Sequence, residues 1–283
     1  MKKKMNMKKE IRLISIIVTY YPDKDLLIKN IQSIINYVDE ILIWENTLLN
    51  DRPQYRYVSD SKVSYHGEEE NSITHALNYA WKYAVENKYD YLLTMDQDSV
   101  WENFDGFLQQ TIYNTSCPSG IWGPNLNTYG DTSTCFSEVR YLINSGMLQS
   151  VDTINKVGGW REDFRIDAFD IEYCYHAKEL GIKCYRVGGY KLEHTLGNPS
   201  VKRVFGKQLH LLNYSPSRLY EIYRNHIIVI RKYKETKDLK RNFLRFWMNN
   251  HLVTVILGEN NKWKKLCAIC RGVFSGLTSP ISR

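Results

Sequence analysis

The chain has 283 residues, of which 43% are hydrophobic and 24% charged, and it carries a formal net charge of +7. This is the composition of an ordinary globular protein, and the length suits one large α/β domain with an appendage or two small domains. The six cysteines are too sparse for a disulfide scaffold, and no run approaches the roughly 18–20 apolar residues that span a bilayer.

The positive charge is concentrated towards the C-terminus. Residues 201–283 hold 17 Lys and Arg against 4 Asp and Glu, a balance of +13, whereas the preceding 200 residues hold 21 basic and 27 acidic residues, a balance of −6. A basic region on a mildly acidic body predicts contact with an anionic surface, either membrane lipid or nucleic acid. A solvated basic helical face is the alternative.

Nothing at the start of the sequence indicates secretion. Residues 1–12 are lysine-rich, and the apolar segment Leu13–Val18 that follows is shorter than the core of a secretory signal. Cys267 and Cys270 have C-x-x-C spacing, but no second pair completes a zinc set. The cysteines fit a reducing cytoplasm, and we expect a protein that is soluble or peripheral on the membrane.

Strands alternate with helices in the first part of the chain. The continuous β-branched run Ile11–Thr19 is typical of a strand covered on both faces. The other elements predicted there are strands at Glu40–Trp44, Lys62–Tyr65 and Tyr89–Met95, and helices at Leu26–Val38 and Asn71–Glu86. This alternation predicts βαβ units and a parallel sheet.

The second part begins with loops and short strands over residues 117–150, which are rich in Gly, Pro, Asn, Thr and Ser. The elements predicted after it are helices at Asp152–Val157 and Asp167–Leu180, a strand at Ile182–Val187, and basic helices at Arg218–Tyr233, Leu239–Ile256 and Lys262–Phe274. Acidic residues begin the Asp167–Leu180 helix, where the macrodipole favours them.

Two aspartates one residue apart, Asp96 and Asp98, directly follow the predicted strand Tyr89–Met95. In open α/β sheets, ligand crevices lie outside the carboxyl ends of the strands. Oxygen ligands so close together suit a hard divalent cation, Mg2+ or Mn2+, held together with substrate phosphates. The pair therefore predicts a metal–diphosphate site, with a solvated acidic loop as the alternative.

Eight short motifs follow one another in an order that points to one family. They are Thr19–Pro22, Glu45–Thr47, Asn71–Asn78, Met95–Ser99, Asn144–Gly146, Val157–Trp160, Phe164–Glu172 and Glu193–Gly197. Together they resemble the family-2 inverting glycosyltransferases of GT-A fold, and most of all the bacterial rhamnosyltransferase-like branch. The resemblance runs from about residue 13 to residue 233.

The resemblance implies a GT-A fold of the α/β class, with a Rossmann-like, mostly parallel sheet flanked by helices. We expect a basic N-terminal tail over 1–12, a GT-A domain over 13–215 and a basic helical extension over 216–283 that associates with membrane. The Phe, Trp and Lys residues expected to anchor it are Phe243, Phe246, Trp247, Trp263, Lys264 and Lys265.

The metal and catalytic roles follow from the same resemblance. Asp98 is the expected direct metal ligand, Asp96 lies next to the metal or the nucleotide ribose, and His194 completes the metal shell. Inversion needs one general base to take the acceptor's proton. By position that base is Asp170, with Asp167 as the alternative, and the helix dipole is expected to keep the pKa of Asp170 low. The side chain of Glu172, two residues further on, is expected to point away from the site.

The resemblance also implies substrate contacts. The expected nucleotide-binding residues are Thr19, Tyr20, Glu45, Asn71, Asn78 and Asp96, and Asn144, Ser145 and Gly146 are expected beneath the donor sugar. Glu45 stands where the family usually has Asp. His176 stands where it often has Arg, so we expect His176 or Arg203 to supply the missing positive charge.

The sequence thus predicts an inverting, Mn2+- or Mg2+-dependent glycosyltransferase of bacterial cell-surface polysaccharide synthesis. It would move rhamnose or another hexose from a dTDP- or UDP-sugar to a lipid-linked or polysaccharide acceptor, at the cytoplasmic face of the membrane. A nucleotidyltransferase is the alternative enzyme, although Thr19–Pro22 replaces its usual Gly-rich basic loop. A nucleic-acid-binding protein is disfavoured because no recognised motif accompanies the basic charge.

Overall fold

The structure, a computed structural model, describes residues 11–52, 57–68, 71–126, 135–194, 200–204 and 206–282. Most of the predicted N-terminal tail lies outside this range, as do Leu196 and Gly197 of the histidine motif. The strands are β1 (Leu13–Thr19), β2 (Glu40–Glu45), β3 (Val63–His66), β4 (Tyr91–Asp96), β5 (Ser99–Trp101), β6 (Ile121–Leu126), β7 (Phe136–Val139), β8 (Met147–Ser150), β9 (Cys184–His194), β10 (Ser200–Val204) and β11 (Lys207–Leu211). The helices are α1 (Lys24–Ile34), α2 (Ile73–Glu86), α3 (Phe104–Gln110), α4 (Val151–Val157), α5 (Phe169–Glu179), α6 (Pro216–Lys232), α7 (Lys237–Phe243), α8 (Leu252–Leu257) and α9 (Lys262–Thr278).

One nine-stranded sheet organises the fold. Its order is β3-β2-β1-β4-β8-β6-β9-β5, and β7 pairs with the first half of β9. Six of the nine strands (β1, β2, β3, β4, β6 and β9) point the same way, while β5, β7 and β8 run against them. The predicted α/β class with a mostly parallel sheet is confirmed.

Helices cover both faces of the parallel strands, as the apolar run of β1 requires. All seven residues of β1 are buried. Ile14 and Ile16 pack in a core shared with α2, α4 and α5, and Ile17 packs in a second core shared with α1 and α3. A strand enclosed on both sides cannot alternate polar and apolar residues, which explains the continuous hydrophobic sequence.

The helical extension is packed onto the domain. Helix α9 lies so close to α6 that a Cβ built on Gly272 would come within 2.6 Å of the Tyr220 carbonyl oxygen, and one on Gly276 within 2.8 Å of that of Arg224. Lys265 donates a buried hydrogen bond of 2.5 Å to Glu259, next to the start of α9. The extension is therefore part of the packed structure.

This packing corrects half of the predicted membrane anchor. Phe243 is buried, Trp247 packs against the same helical cluster, and Lys265 is buried with Glu259, so none of these three is available to a lipid surface. Phe246 and Trp263 are exposed as expected, the latter by 82%. Among the described residues, none of the helices combines the length and the apolar character needed to cross a bilayer.

Several element boundaries differ from the prediction. Helix α5 begins at Phe169 because Asp167 (φ 60°) and Ala168 (φ 59°) adopt left-handed backbone, so Asp167 lies before the helix. The predicted strand Ile182–Val187 continues to His194, through two glycines that favoured a break. A single helix over Leu239–Ile256 is replaced by α7, a π-helical segment and α8. The short elements β5, α3, β10 and β11 were not predicted.

We predict that Gly272→Ala destabilises the protein. The added methyl group meets a backbone carbonyl, which cannot move without separating α6 from α9, and such overpacking costs about 1–3 kcal/mol. Higher helix propensity returns up to about 1 kcal/mol. The melting temperature should fall by about 2–6 °C.

The matched control is Cys270→Ala, which changes an exposed residue of the same helix and should shift the melting temperature by about 1 °C or less. Equal melting temperatures for Gly272→Ala and the control would contradict the close packing of the two helices.

Candidate active site

Three predicted metal ligands meet at one end of the sheet. Asp96 ends β4, Asp98 lies in the turn to β5, and His194 ends β9 directly opposite Ser99. One ligand atom from each of the three lies within 4.8 Å of the other two, and His194 Nδ1 is 3.4 Å from Asp98 Oδ1. Two carboxylates and an imidazole are a suitable donor set for Mn2+ or Mg2+, with positions left for substrate oxygens.

The charge of this cluster also favours a cation. Burial raises the pKa of Asp98, the nearby imidazole of His194 lowers it, and the neighbouring Asp96 carboxylate raises it again. Ionising Asp98 costs free energy because the side chain is buried and because the Asp96 carboxylate is close by. A divalent cation bound at this cluster offsets both costs.

A chain of serine hydroxyls holds the cluster together. Asp96 N donates to Ser145 Oγ (3.2 Å), Ser145 Oγ donates to Ser99 Oγ (2.6 Å), and Ser99 Oγ lies 2.8 Å from His194 Nδ1. Ser145 is fully buried and lies outside the residues that line the cleft. Its observed contacts orient the metal cluster, and its predicted contact with the donor sugar stays a prediction.

Asn144 joins the metal cluster to the predicted base. Its side-chain Nδ2 donates to Asp96 Oδ1 at 2.8 Å, and its backbone N donates to Asp170 Oδ2 at 3.2 Å. The remaining Asn144 Oδ1 is buried and has no hydrogen-bond partner in the described part of the chain. Asn144 lines the cleft, so one residue positions two carboxylates and retains an unused acceptor.

Asp170 is a high-pKa carboxylate, contrary to expectation. Burial raises its pKa to about 7; hydrogen bonds from the backbone amides of Ile171 and Asn144 act in the opposite direction, and the charges of Asp96 and Asp167 add to the rise. The expectation that the helix dipole would keep this pKa low is therefore wrong. An aspartate that titrates near neutrality suits general-base chemistry.

Asp167 is engaged by a cation from α6. Arg218 donates to both of its carboxylate oxygens, Nε to Oδ2 at 3.0 Å and Nη2 to Oδ1 at 3.1 Å. Asn225, also on α6, donates to the carbonyl oxygens of Ile166 and Asp167. Such a two-point ion pair restrains the carboxylate of Asp167. Asp167 thus ties the loop before α5 to α6.

Glu172, the third acid of the motif, points away from the cleft as expected. It is fully buried, accepts a 2.5 Å hydrogen bond from Tyr233 and pairs with Lys232 at 3.3 Å. Its role is to join α5 to the end of α6.

The predicted nucleotide-binding residues divide into two groups. Thr19, Tyr20 and Asn71 line the cleft together with Asp96. Glu45 and Asn78 lie outside the lining residues. Their nucleotide roles stay predictions.

The observed contacts of Glu45 and Asn78 are internal. Asn78 is buried and bonds both the N–H and the carbonyl of Trp160 at 2.8 Å. The carbonyl oxygen of Glu45 accepts from Arg52, which also binds the carbonyls of Thr47 and Glu68. Arg52 thereby fastens the loops that follow β2 and β3.

Gln97, the central residue of the aspartate motif, has a role that the sequence did not indicate. Its Oε1 accepts from Tyr20 N at 2.6 Å, and its Nε2 donates to Tyr20 O at 3.2 Å. The pair of hydrogen bonds fixes the loop after β1 against the turn between β4 and β5, which carries Asp98. Gly146 has an internal reason to be glycine, since its φ is +78° and a Cβ there would meet Pro124 at 2.8 Å.

One cleft of about 1500 Å3 is lined by the three predicted metal ligands together with Asn144, Asp167 and Asp170. This volume exceeds that of a typical small-molecule pocket and leaves room for two substrates. The basic residues that line it are Arg165, Arg218, Lys264 and Arg271. His176 and Arg203, the residues expected to supply positive charge, are not among the described residues that line it. The cations come instead from the loop before α5 and from α6 and α9.

Comparison with known proteins identifies the fold. No family model matches the chain. The chain is 24% identical over 245 residues to the dTDP-rhamnosyl transferase RfbF of Shigella flexneri, an alignment that covers 77% of this chain and 79% of RfbF.

Solved glycosyltransferase structures superpose over nearly the whole chain. GalNAc-T7 with UDP, GalNAc and Mn2+ gives a TM-score of 0.61 at 11% identity over 96% of this chain, which spans only 57% of the length of GalNAc-T7. The mannosyltransferase PcManGT of Pyrobaculum calidifontis with GDP-Man and Mn2+ gives 0.58 at 12% identity, over 95% of this chain and 76% of PcManGT. S. aureus TarS 1-349 with UDP-GlcNAc gives 0.53 at 12%, over 94% of this chain and 81% of TarS 1-349.

The chain therefore has the GT-A glycosyltransferase fold, and the resemblance recognised in the sequence is confirmed. The glycosyltransferase class is supported by both comparisons. Nucleotide sugars and Mn2+ occur in the complexes of the structural relatives.

We predict that Asp98→Asn weakens Mn2+ binding by at least about tenfold, because an amide oxygen carries no charge to offset the cation. Titration calorimetry of the metal alone measures this. Affinity for the unmodified protein should also fall as the pH is lowered, since protons compete for a carboxylate whose pKa is raised.

Asp105→Asn, which removes an exposed acid in the first turn of α3, is the matched control and should leave Mn2+ binding unchanged. Equal affinities for the two variants would remove Asp98 from the metal site.

Proposed function

We propose that the protein is an inverting, divalent-metal-dependent glycosyltransferase in which Asp170 is the general base. The observation that carries this proposal is the hydrogen-bonded bridge from Asp96 through Asn144 to Asp170. It supports two different roles for these carboxylates. Asp96 belongs to the metal cluster, whereas Asp170, joined to it through Asn144, has a pKa of about 7. Inversion by single displacement needs one base on the acceptor side and stabilisation of the leaving group on the donor side.

The donor side would be formed by Asp96, Asp98 and His194. A divalent cation bound there supplies Lewis-acid stabilisation of the departing nucleoside diphosphate. Thr19 and Tyr20 would contact the nucleotide, with Tyr20 held in place by Gln97. The unpaired Asn144 Oδ1 is suited to accept a hydrogen bond from a donor-sugar hydroxyl.

Asp170 is a better candidate for the base than Asp167. Arg218 donates to both oxygens of Asp167, so this carboxylate is engaged in a two-point ion pair and is not free to face the acceptor hydroxyl. Asp170 instead accepts from two backbone amides, keeps some exposure at the cleft and titrates near neutral pH. Arg218 would remain near the metal cluster as positive charge for the diphosphate, a role expected of His176 or Arg203.

The donor is proposed to be a dTDP- or UDP-sugar, with dTDP-rhamnose the first to test. The support for rhamnose is the name of the Shigella relative, and the support for a pyrimidine nucleotide is the UDP and UDP-GlcNAc complexes of two structural relatives. Thermal stabilisation of the protein by a panel of nucleotide sugars with Mn2+ ranks these donors. Release of nucleoside diphosphate marks a glycosyltransferase, and release of pyrophosphate would instead mark a nucleotidyltransferase.

The acceptor is proposed to be a lipid-linked saccharide or a polysaccharide, reached at an anionic membrane surface. Exposed apolar side chains support this, among them Phe246 and Ile256, next to exposed Arg241 and Arg245. Apolar and basic residues on one helical region are typical of interfacial binding.

We predict that Asp170→Asn lowers the transfer rate by about 10²–10⁴-fold while nucleotide and Mn2+ binding are retained, because an amide cannot take the proton. In the unmodified protein, kcat/KM for the acceptor should fall as the pH drops through about 7, since the base must be ionised. Metal binding beside Asp96 should move this midpoint lower, because it offsets a charge that raises the pKa.

Asp167→Asn is the matched variant, and it should retain more transfer than Asp170→Asn. The reverse order of rates would make Asp167 the base. Retention of the anomeric configuration in the product, read by NMR, would refute the inverting mechanism.

We predict that Phe246→Ser/Ile256→Ser weakens flotation with vesicles of phosphatidylcholine and phosphatidylglycerol, since two exposed apolar groups no longer enter the interface. The control, Leu49→Ser/Tyr113→Ser, removes two apolar groups of similar exposure from the catalytic domain and should leave flotation unchanged. Equal flotation of both double variants and the unmodified protein would refute membrane contact through these helices.

A further inference from the structure

One wall of the cleft comes from α9, which lies beyond the sequence motifs that resemble the family. The α9 residues that line the cleft are Trp263, Lys264, Cys267, Ala268 and Arg271. Their spacing of one, three or four residues places them on one face of the helix. This face belongs to the same cleft as Asp98 and Asp170.

The wall is held rigidly. Gly272 and Gly276 allow α9 to lie against the backbone of α6, and Tyr220 on α6 donates a 3.0 Å hydrogen bond to Ser275. At the other end of the helix, the buried ion pair of Lys265 with Glu259 fixes the first turn. A helix held at both ends keeps the backbone of this face at one place in the cleft, as a binding surface requires.

The wall carries uncompensated positive charge. In the described part of the chain, neither Lys264 nor Arg271 forms an ion pair, and Arg271 lies over the Tyr220 ring at 5.9 Å. Glu221, a cleft-lining acid on α6, is paired with Arg224 at 3.7 Å. Two cations on one rigid face of a cleft attract and orient an anionic group.

We propose that the α9 face is an acceptor subsite that binds a phosphate or diphosphate ester carried by the acceptor, through Lys264 and Arg271, with the Trp263 ring packing beside it. The inference rests on the proposed function and narrows its acceptor to a phosphorylated one. The donor diphosphate has its own place at Asp96, Asp98 and His194, so a second anion site in the same cleft is suited to the second substrate.

The test is a direct binding measurement with geranyl diphosphate as the probe, in EDTA and without donor. Chelation removes the metal, so the carboxylates of the metal cluster repel the probe and favour its binding at the α9 face, and the variants below separate this face from the other cleft cations. The unmodified protein should bind geranyl diphosphate and not geraniol. Lys264→Gln/Arg271→Gln should weaken binding by at least about tenfold, because each lost cation removes a charge-assisted hydrogen bond.

The matched control is Arg245→Gln/Lys262→Gln, which removes the same charge from two exposed residues outside the cleft lining and should leave binding unchanged. Equal weakening by both double variants, or no binding by the unmodified protein, would overturn the subsite. The measurement uses neither donor nor turnover, so this result is separable from the fate of the proposed catalytic mechanism.

A second arm distinguishes an acceptor phosphate from a lipid headgroup. Vesicle flotation of Lys264→Gln/Arg271→Gln should equal that of Arg245→Gln/Lys262→Gln or exceed it, because the proposal assigns Lys264 and Arg271 to the acceptor phosphate and not to a lipid headgroup. Loss of flotation in the cleft variant together with unchanged geranyl diphosphate binding would overturn the proposal and assign these cations to the membrane.

Discussion

Repulsion between carboxylates is the constraint on which the cleft depends. Asp96, Asp98, Asp167 and Asp170 all line it, and each ionised carboxylate makes its neighbours harder to ionise. Arg218 neutralises Asp167, and Asn144 separates Asp96 from Asp170 while donating to both. The charge that remains is concentrated on the aspartate pair beside His194. A divalent cation is the simplest partner for it, and under the proposed mechanism Asp170 is then left for proton transfer.

Much of this arrangement was predictable because it lies at strand ends. The apolar run that becomes β4 ends at Asp96, and hydrophobic periodicity alone places Asp96 and Asp98 at the carboxyl edge of a parallel sheet. The position of His194 needed the family resemblance, since β9 continues through two glycines before it pairs with Ser99. The role of the cleft cations was missed because three of the four, Arg218, Lys264 and Arg271, come from α6 and α9. Which helix face meets a cleft depends on packing between distant segments, and Gly272 and Gly276 were the only local signals for it.

The pKa of Asp170 shows why burial outweighs a local signal. A helix N-terminus favours a nearby carboxylate by about 0.3–1 kcal/mol, which is less than one pKa unit. Burial can raise a carboxylate pKa by up to about 3–5 units, and nearby acids add to it. Sequence displays the helix start but not the enclosure of the side chain, so the smaller effect was visible and the larger one was not. A pKa of about 7 for Asp170 follows from this order of magnitudes.

The left-handed backbone of Asp167 and Ala168 affects both the stability and the conformational freedom of the loop before α5. Each non-glycine residue in this region costs roughly 1–2 kcal/mol. Asn225 and Arg218 hold the loop in place from α6, and they offset that cost. Glycine at position 168 would remove the strain, yet it would also widen the range of conformations open to the unfolded chain and to the loop itself. Alanine at position 168 therefore accepts backbone strain and in return narrows the conformations open to the loop that presents Asp170.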